Sequence, residues 1–203
     1  NHIGVPLSIL AIHPDVEITV IEMGANHQKE IEFLTSISNP DFGFITNFGK
    51  AHIEGFGGLK GVIKGKSELY ENIRQNNKKV FVNEEDSKQM ELTSDLDRIL
   101  FRPSEIEILS ESPLLELKFK NQKFKTHLIG SYNTLNIAIA LQVGTYFNVP
   151  FQDSISAISN YIPSNNRSQL IQTKHNKIHL DAYNANPSSV SLPLKSFSKL
   201  QDP

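Results

Sequence analysis

The sequence predicts an α/β fold, a mostly parallel open sheet flanked by helices with a small antiparallel β-hairpin part. Three observations predict it. Val16 to Met23 is densely apolar at Val16, Ile18, Val20, Ile21 and Met23, too dense for a sheet with one wet face and suited to a buried, parallel strand. A second dense run, Phe42 to Phe48, follows a helical stretch. This β-α-β order calls for a right-handed crossover in an open sheet, where ligands gather beyond the carboxyl ends of strands. Farther on, Leu114 to Lys120 and Lys123 to Ile129 alternate apolar and polar residues about Asn121-Gln122, a hairpin signal.

In chain order, Pro6 to Ile12 reads as a short helix opened by proline and closed by His13-Pro14-Asp15. Gly24 ends the first strand, and Gln28 to Ser38 is a helix with Ile31, Leu34 and Ile37 on one stripe. The glycines at 49, 55, 57 and 58 read as a loop carrying His52 and Glu54. Leu59 to Arg74 is then a helix whose apolar stripe is centred on Lys66. Lys79 to Asn83 and Arg98 to Arg102 read as strands, separated by a polar helix-like segment from Asp86 to Leu96. Two helices follow, Asn133 to Phe147 and Asp153 to Tyr161, the second with an aspartate N-cap. A hairpin of Gln169 to Thr173 and Ile178 to Tyr183 turns at His175-Asn176, and a last helix, Ser189 to Leu200, accommodates Pro193 near its first turn.

At 203 residues the chain is long enough to bury a substantial core, and one domain is the default. Lys+Arg 20 against Asp+Glu 22 leaves no strong field for nucleic acid or an anionic membrane. The absence of cysteine excludes disulfides and thiolate metal sites. No apolar run approaches the roughly 18 residues of a membrane span, so the expectation is a soluble, cytoplasmic protein without membrane insertion. Asn1 is not an initiator methionine and the end at Gln201-Asp202-Pro203 is abrupt, which suggests a piece of something longer.

Three residues are odd choices for a scaffold: Glu22 at a strand end, His52 in the glycine-rich loop and Lys66 within an apolar helix face. Together they could form an oxygen- and nitrogen-lined site for a hard cation such as Mg²⁺, which keeps waters. An ammonium has three donors and no acceptor and cannot be a ligand. If burial deprotonates it and CO₂ caps it as a carbamate, the cation becomes a carboxylate-like anion. The blander alternatives are a helix-capping acid at Glu22, a loop histidine without a task, and a Lys66 stem packed on the core with its head reaching water.

These residues carry a family resemblance. EMGANHQKEI, ITNFGKAHIEGFGG, KGKSEL, GSYNTLNIAIA, NNR and DAYNANPSS, in order from Asn1 to Ser189, closely resemble the Mur ligase family. EMGANH and YNANP resemble its MurF type, which joins D-alanyl-D-alanine to UDP-MurNAc-tripeptide. The resemblance implies amide synthesis in peptidoglycan assembly through an acyl phosphate, with ATP and Mg²⁺ as cofactors. It implies that Glu22 and His52 match magnesium ligands and that Lys66 matches a carbamylated lysine. Asn133 and Asn136, three apart on one helix face, correspond to adenine-side asparagines; Arg167 to an arginine near the phosphates; Asp181 to the acid at the ribose hydroxyls. Tyr183, Asn184 and Asn186 would lie near nucleotide and substrate, and Asn26 and Asn47 are candidates for substrate contact. Without the resemblance, helix capping by Asn133, an exposed polar face at Asn136 and a plain polar turn at Tyr183 to Pro187 would account for those positions.

The sequence departs from the family pattern at Tyr132, where a histidine is common, and in having no G-x-x-x-x-G-K-[ST] phosphate loop. The expectation is therefore residues 1–203 of a partial central ATP-binding domain, inactive alone, without the family's amino-terminal and carboxy-terminal domains. Two alternatives stand beside it: another amide ligase of the MurE, cyanophycin or folylpolyglutamate kind, and a non-catalytic nucleotide-binding module.

Overall fold

Asn1 starts the chain by folding its side chain over the first turn of α1 (Gly4–Leu10), where Oδ1 accepts from the amides of Ile3 and Gly4 at 3.1 and 2.7 Å. The computed structural model describes residues 1–49, 52–164, 166–181 and 187–198. Its backbone forms two units, Asn1–Leu100 and Phe101–Pro203. No helix among the described residues is long and apolar enough to cross a membrane.

In the first unit, Val5 of α1 packs with Ile31 and Leu34 of α2 (Glu30–Ser38). The strand expected over Val16 to Met23 is not formed. Ile21 and Met23 reach the Val5 cluster, but Val16, Ile18 and Val20 are exposed, Val20 at 86%. An apolar extended run becomes a strand only where a neighbouring backbone supplies hydrogen-bond partners. None of the described residues does so here.

The expected second strand shortens to β1 (Phe42–Phe44). A four-residue helix, α3 (Ile53–Phe56), stands where the glycines suggested only loop, and α4 (Leu59–Gln75) follows. The parallel pair is therefore β1 with β2 (Lys79–Asn83), in register Phe42↔Lys79 and Phe44↔Phe81, and α4 is the connection between them. Val80, Phe81 and Val82 are all buried, as expected for a central strand.

Asp86 caps α5 (Ser87–Leu92) by accepting from the amides of Lys88 and Gln89 at 3.0 and 3.1 Å. β3 (Asp97–Phe101) completes the sheet order β1-β2-β3. Its core gathers Ile45, Tyr70, Ile73, Val80 and Val82.

The second unit opens, after a 3₁₀ turn at Pro103–Glu105, with β4 (Glu107–Ser110), which the alternation pattern did not reveal. β4 pairs antiparallel with β5 (Glu116–Phe119), and β5 with β6 (Gln122–Lys125). The hairpin turn sits one residue earlier than expected, on Lys120 and Asn121. Both have positive φ, 46° and 63°, as a two-residue primed turn requires.

A 3₁₀ turn at Ser131–Asn133 leads into α6 (Thr134–Tyr146), and α7 (Phe151–Asn160) follows. Pro150 takes the N-cap position of α7, so Asp153 lies inside the first turn. There it still faces the positive end of the helix. β7 (Gln169–Gln172) and β8 (Lys177–Leu180) form the expected hairpin, with Thr173 Oγ1 accepting from the amide of Asn176 at 2.9 Å. α8 (Pro187–Phe197) begins two residues early because proline at the first helical position is pre-organised for the helix. Pro193 consequently falls in the helix interior rather than near the first turn.

Candidate functional site

In the first unit the site is built outward from α4. Gly61 and Gly65, one turn apart, let α3 settle on this helix. A Cβ on Gly61 would meet the carbonyl oxygen of Phe56 at 1.8 Å, and one on Gly65 would meet the Phe56 ring at 2.4 Å. Gly55 allows a similar approach on the other side, where a Cβ would stand 2.3 Å from the carbonyl oxygen of Asn26. The sequence glycines thus bring the Asn26-His27 turn, α3 and α4 together.

Lys66 lies within the buried arc of α4, flanked round the helix by Tyr70 and Ile73, while the apolar stripe itself centres nearer Gly65 and Leu69. It is half-buried, and its Nζ donates to the main-chain carbonyl of Asn47 at 2.6 Å. Burial lowers its pKa below the ordinary lysine value, shifting the amine toward its neutral form. Asn47 is exposed, and its Oδ1 accepts from the amide of Gly49 at 2.8 Å.

Glu22 and His52 are exposed, His52 in a left-handed conformation at the start of α3 with φ 55°. Among the described residues neither side chain has a hydrogen bond or ion pair, and no three carboxylate, imidazole or thiol groups converge as a metal cage. Mg²⁺ commonly takes only one or two protein carboxylates and fills the rest of its octahedron with water and phosphate oxygen. An exposed carboxylate such as Glu22, without a partner among the described residues, is compatible with that habit.

Two acids beside these residues have structural duties that the sequence did not reveal. Glu30 Oε2 accepts from the amides of Asn26 and His27 at 2.6 and 3.1 Å, and these backbone bonds, the Asn26 one foremost, lower its pKa. Glu68, buried on α4, accepts from the amides of Lys29 and Glu32 at 2.6 and 3.1 Å. It thereby closes the amino end of α2, whose first N–H groups have no partner within the helix.

In the second unit, a chain of hydrogen bonds gathers several of the expected residues. Asn136, exposed, donates to Asn133 Oδ1 at 3.2 Å. Asn133 is buried and donates to the carbonyl of Ile129 at 2.8 Å and to Ser168 Oγ at 3.2 Å. It stands at the N-cap position of α6 without capping it. Ser168 Oγ lies 2.9 Å from Tyr132 Oη, which donates to Asp181 Oδ2 at 3.1 Å. Tyr132 has its phenol pushed up to about 12, chiefly by burial.

Asn133, Asn136 and Asp181 are therefore linked through Tyr132 and Ser168. Tyr132 was visible in the sequence only as a departure from a pattern. Ser168 carried no signal beyond the polar turn Asn166-Arg167-Ser168. Arg167 is exposed between Asn166 and Ser168, both of positive φ. Tyr183, Asn184 and Asn186 lie outside the described residues.

Comparison with known proteins gives one consistent result. A family profile described as the Mur ligase middle domain matches residues 1–144. UDP-N-acetylmuramoyl-tripeptide–D-alanyl-D-alanine ligase of Bacillus subtilis (strain 168) is 27% identical over 208 residues, covering 99% of this chain and 46% of the relative. MurF from Acinetobacter baumannii superposes with a TM-score of 0.82 at 26% identity, covering 97% of this chain and 46% of that one. The MurF ligase of Thermotoga maritima, solved in complex with ADP, superposes with a TM-score of 0.79 at 24% identity over 97% of this chain and 48% of that one, a likeness of fold. The chain thus spans about half the length of the relatives it matches.

Proposed function

Because the chain belongs to the Mur ligase family, through its middle domain, we propose that the whole protein joins D-alanyl-D-alanine to UDP-MurNAc-tripeptide at the expense of ATP. In this reading a tripeptide carboxylate takes the γ-phosphoryl group and ADP leaves. The dipeptide amine then attacks the acyl carbonyl, phosphate departs, and the amide remains. The product is a peptidoglycan precursor, and ATP as phosphoryl donor puts the reaction in the cytoplasm.

Lys66 is the observation that carries the reading at the level of the site. Two anions, phosphate and carboxylate, must approach each other, so the surroundings have to supply positive charge. A lysine half-buried on a helix, with its pKa lowered by burial and no acid among the described residues to hold it charged, is the form of lysine that adds CO₂. The resulting carbamate would offer oxygen to a hard cation. Glu22 and His52 would hold Mg²⁺ alongside it, and the ion would neutralise phosphate charge.

For the nucleotide, the exposed amide of Asn136 can both donate to and accept from a purine edge. Asn133, with both amide hydrogens already engaged, would act by holding Asn136 and Ser168. Asp181 would accept from the ribose hydroxyls, and Arg167 would pair with phosphate. Asn26 and Asn47 are assigned to the peptide substrates, as are Asn184 and Asn186, with Tyr183 on the nucleotide side. Nucleic acid has no part in this chemistry.

The test is an assay of the whole protein with ATP, UDP-MurNAc-tripeptide and D-alanyl-D-alanine, following phosphate release and product mass. Phosphate release should require all three, and the product mass should equal the two joined substrates less one water. Release that ignores the dipeptide, or that a single amino acid supports better, would overturn this assignment in favour of another Mur-type ligase. The 203-residue chain alone should not turn over.

A further inference from the structure

The hydrogen-bond chain of the second unit has a single workable direction. A carboxylate accepts only, and a primary amide nitrogen donates only. Asn133 Nδ2 must therefore give a hydrogen to Ser168 Oγ, at 3.2 Å, and Asp181 Oδ2 must receive one from Tyr132 Oη, at 3.1 Å. The remaining contact, 2.9 Å between Ser168 Oγ and Tyr132 Oη, is then satisfied only if Ser168 donates. Reversing it would turn lone pairs of the phenol toward the carboxylate and leave the Ser168 hydrogen without use. Each hydroxyl is thus polarised toward Asp181.

Local geometry maintains this arrangement. Gly130 has φ +79°, and a Cβ there would strike the Tyr132 ring at 2.3 Å, so glycine is what lets the ring lie against the backbone. Ser168 is buried and holds a left-handed φ of 50°, an unusual conformation for serine that aims Oγ at both neighbours. Asp181 itself is exposed, and Oδ1 has no hydrogen bond among the described residues.

We propose that Tyr132 is a positioning residue: by giving its one hydroxyl hydrogen to Oδ2, it fixes the Asp181 carboxylate with Oδ1 open to accept from a hydroxyl of the nucleotide sugar. The inference rests on the reading of Asp181 as the ribose acid. It goes beyond that reading in making the grip on the sugar depend on a phenol and a serine that touch no ligand.

The experiment measures ADP and 2′,3′-dideoxy-ADP binding to the whole protein by calorimetry, in the wild type and in Tyr132→Phe, Ser168→Ala, Asp181→Ala and the Tyr132→Phe/Asp181→Ala pair. Phenylalanine keeps the ring on Gly130 and removes only the hydroxyl. Tyr132→Phe should weaken ADP about tenfold or more, the weight of a hydrogen bond to a charged group, and leave dideoxy-ADP unchanged. Ser168→Ala should give a smaller loss of the same kind, and adding Tyr132→Phe to Asp181→Ala should cost nothing more. A Tyr132→Phe loss that is equal for both nucleotides, or absent for ADP while the wild type still prefers ADP, overturns the positioning role alone. A wild type that binds the two nucleotides equally overturns the ribose reading, and the inference with it.

Discussion

The ammonium of Lys66 donates to the main-chain carbonyl of Asn47 at 2.6 Å, tying the middle of α4 to the segment that follows β1. Burial, with no carboxylate among the described residues to offset it, disfavours the charged form. Followed by the ¹³Cε shift, Lys66 should titrate below 10.5, the ordinary lysine value. The sign for stability follows. Below the folded pKa both states are protonated and the cost of burying the charge is fully felt; as pH rises from there toward 10.5 the unfolded chain holds more protons and that cost is relieved. A midpoint at or above the ordinary value would contradict this.

Replacement of the same lysine tests its chemical role. Lys66→Ala in the whole protein should lower turnover about 100-fold or more, the scale of losing a group that stabilises developing charge. Short carboxylates such as formate or acetate should restore part of it, by supplying the oxygen that the carbamate would present. Unchanged turnover removes Lys66 from the reaction.

Glu68 is expected to matter for folding. It supplies the acceptor for two amides at the start of α2, from Lys29 and Glu32. Glu68→Ala should lower the unfolding free energy by about 1–3 kcal/mol, the range of a lost cap and of hydrogen bonds to a charged acceptor. Urea unfolding measures it, and an unchanged midpoint would show that water replaces the carboxylate without cost.

Gly61 and Gly65 separate two kinds of crowding. Alanine gains about 1 kcal/mol over glycine in a helix interior, so an open position would be stabilised. At Gly61 the obstacle is the Phe56 carbonyl, 1.8 Å from the new Cβ, which moves only if α3 moves. Gly61→Ala should destabilise by about 3 kcal/mol or more. At Gly65 the obstacle is the Phe56 ring, which can rotate, so Gly65→Ala should cost less. Removing the ring, in Phe56→Ala, should abolish that cost. Thermal melts of Gly61→Ala, Gly65→Ala, Phe56→Ala and the Gly65→Ala/Phe56→Ala pair give the coupling.

Acid should act on the Arg74–Asp95 pair. Arg74 grips Asp95 with Nε and Nη2, at 2.5 and 2.8 Å, and its guanidinium holds the carboxyl down to about 2. A carboxyl lowered in the folded state contributes stability above its unfolded value of 3.8, and that contribution disappears as pH falls through about 2. An NMR titration of the Asp95 carboxyl should have its midpoint near the lower value, and Arg74→Met should return it toward 3.8.

Much of the fold was legible from short windows. Lys79 to Asn83 matches β2 residue for residue, and α4 differs from its expected range by one residue at its end. Val16 to Met23 was not legible, because its apolar density is that of a strand while a strand also needs a partner along its edge. The hairpin about Asn121 was read one residue late. Alternation locates the arms, but the positive φ of Lys120 is a property of the closed turn.

The candidate site divides in the same way. Residue type and position marked Glu22, His52 and Lys66 as candidates for a hard-cation site, while Asn133, Asn136 and Asp181 were marked only by the family resemblance. They said nothing of Ser168, which meets Tyr132 36 positions away, or of Glu68, which meets Lys29 39 positions away. Periodicity, capping and turn chemistry act over one or two turns of chain and are written in the composition of that stretch. A hydroxyl that links two polar side chains, or an acid that closes another helix, acquires its role only when packing brings distant segments within about 3 Å. That distance is set by how the glycines, the core and the backbone settle together.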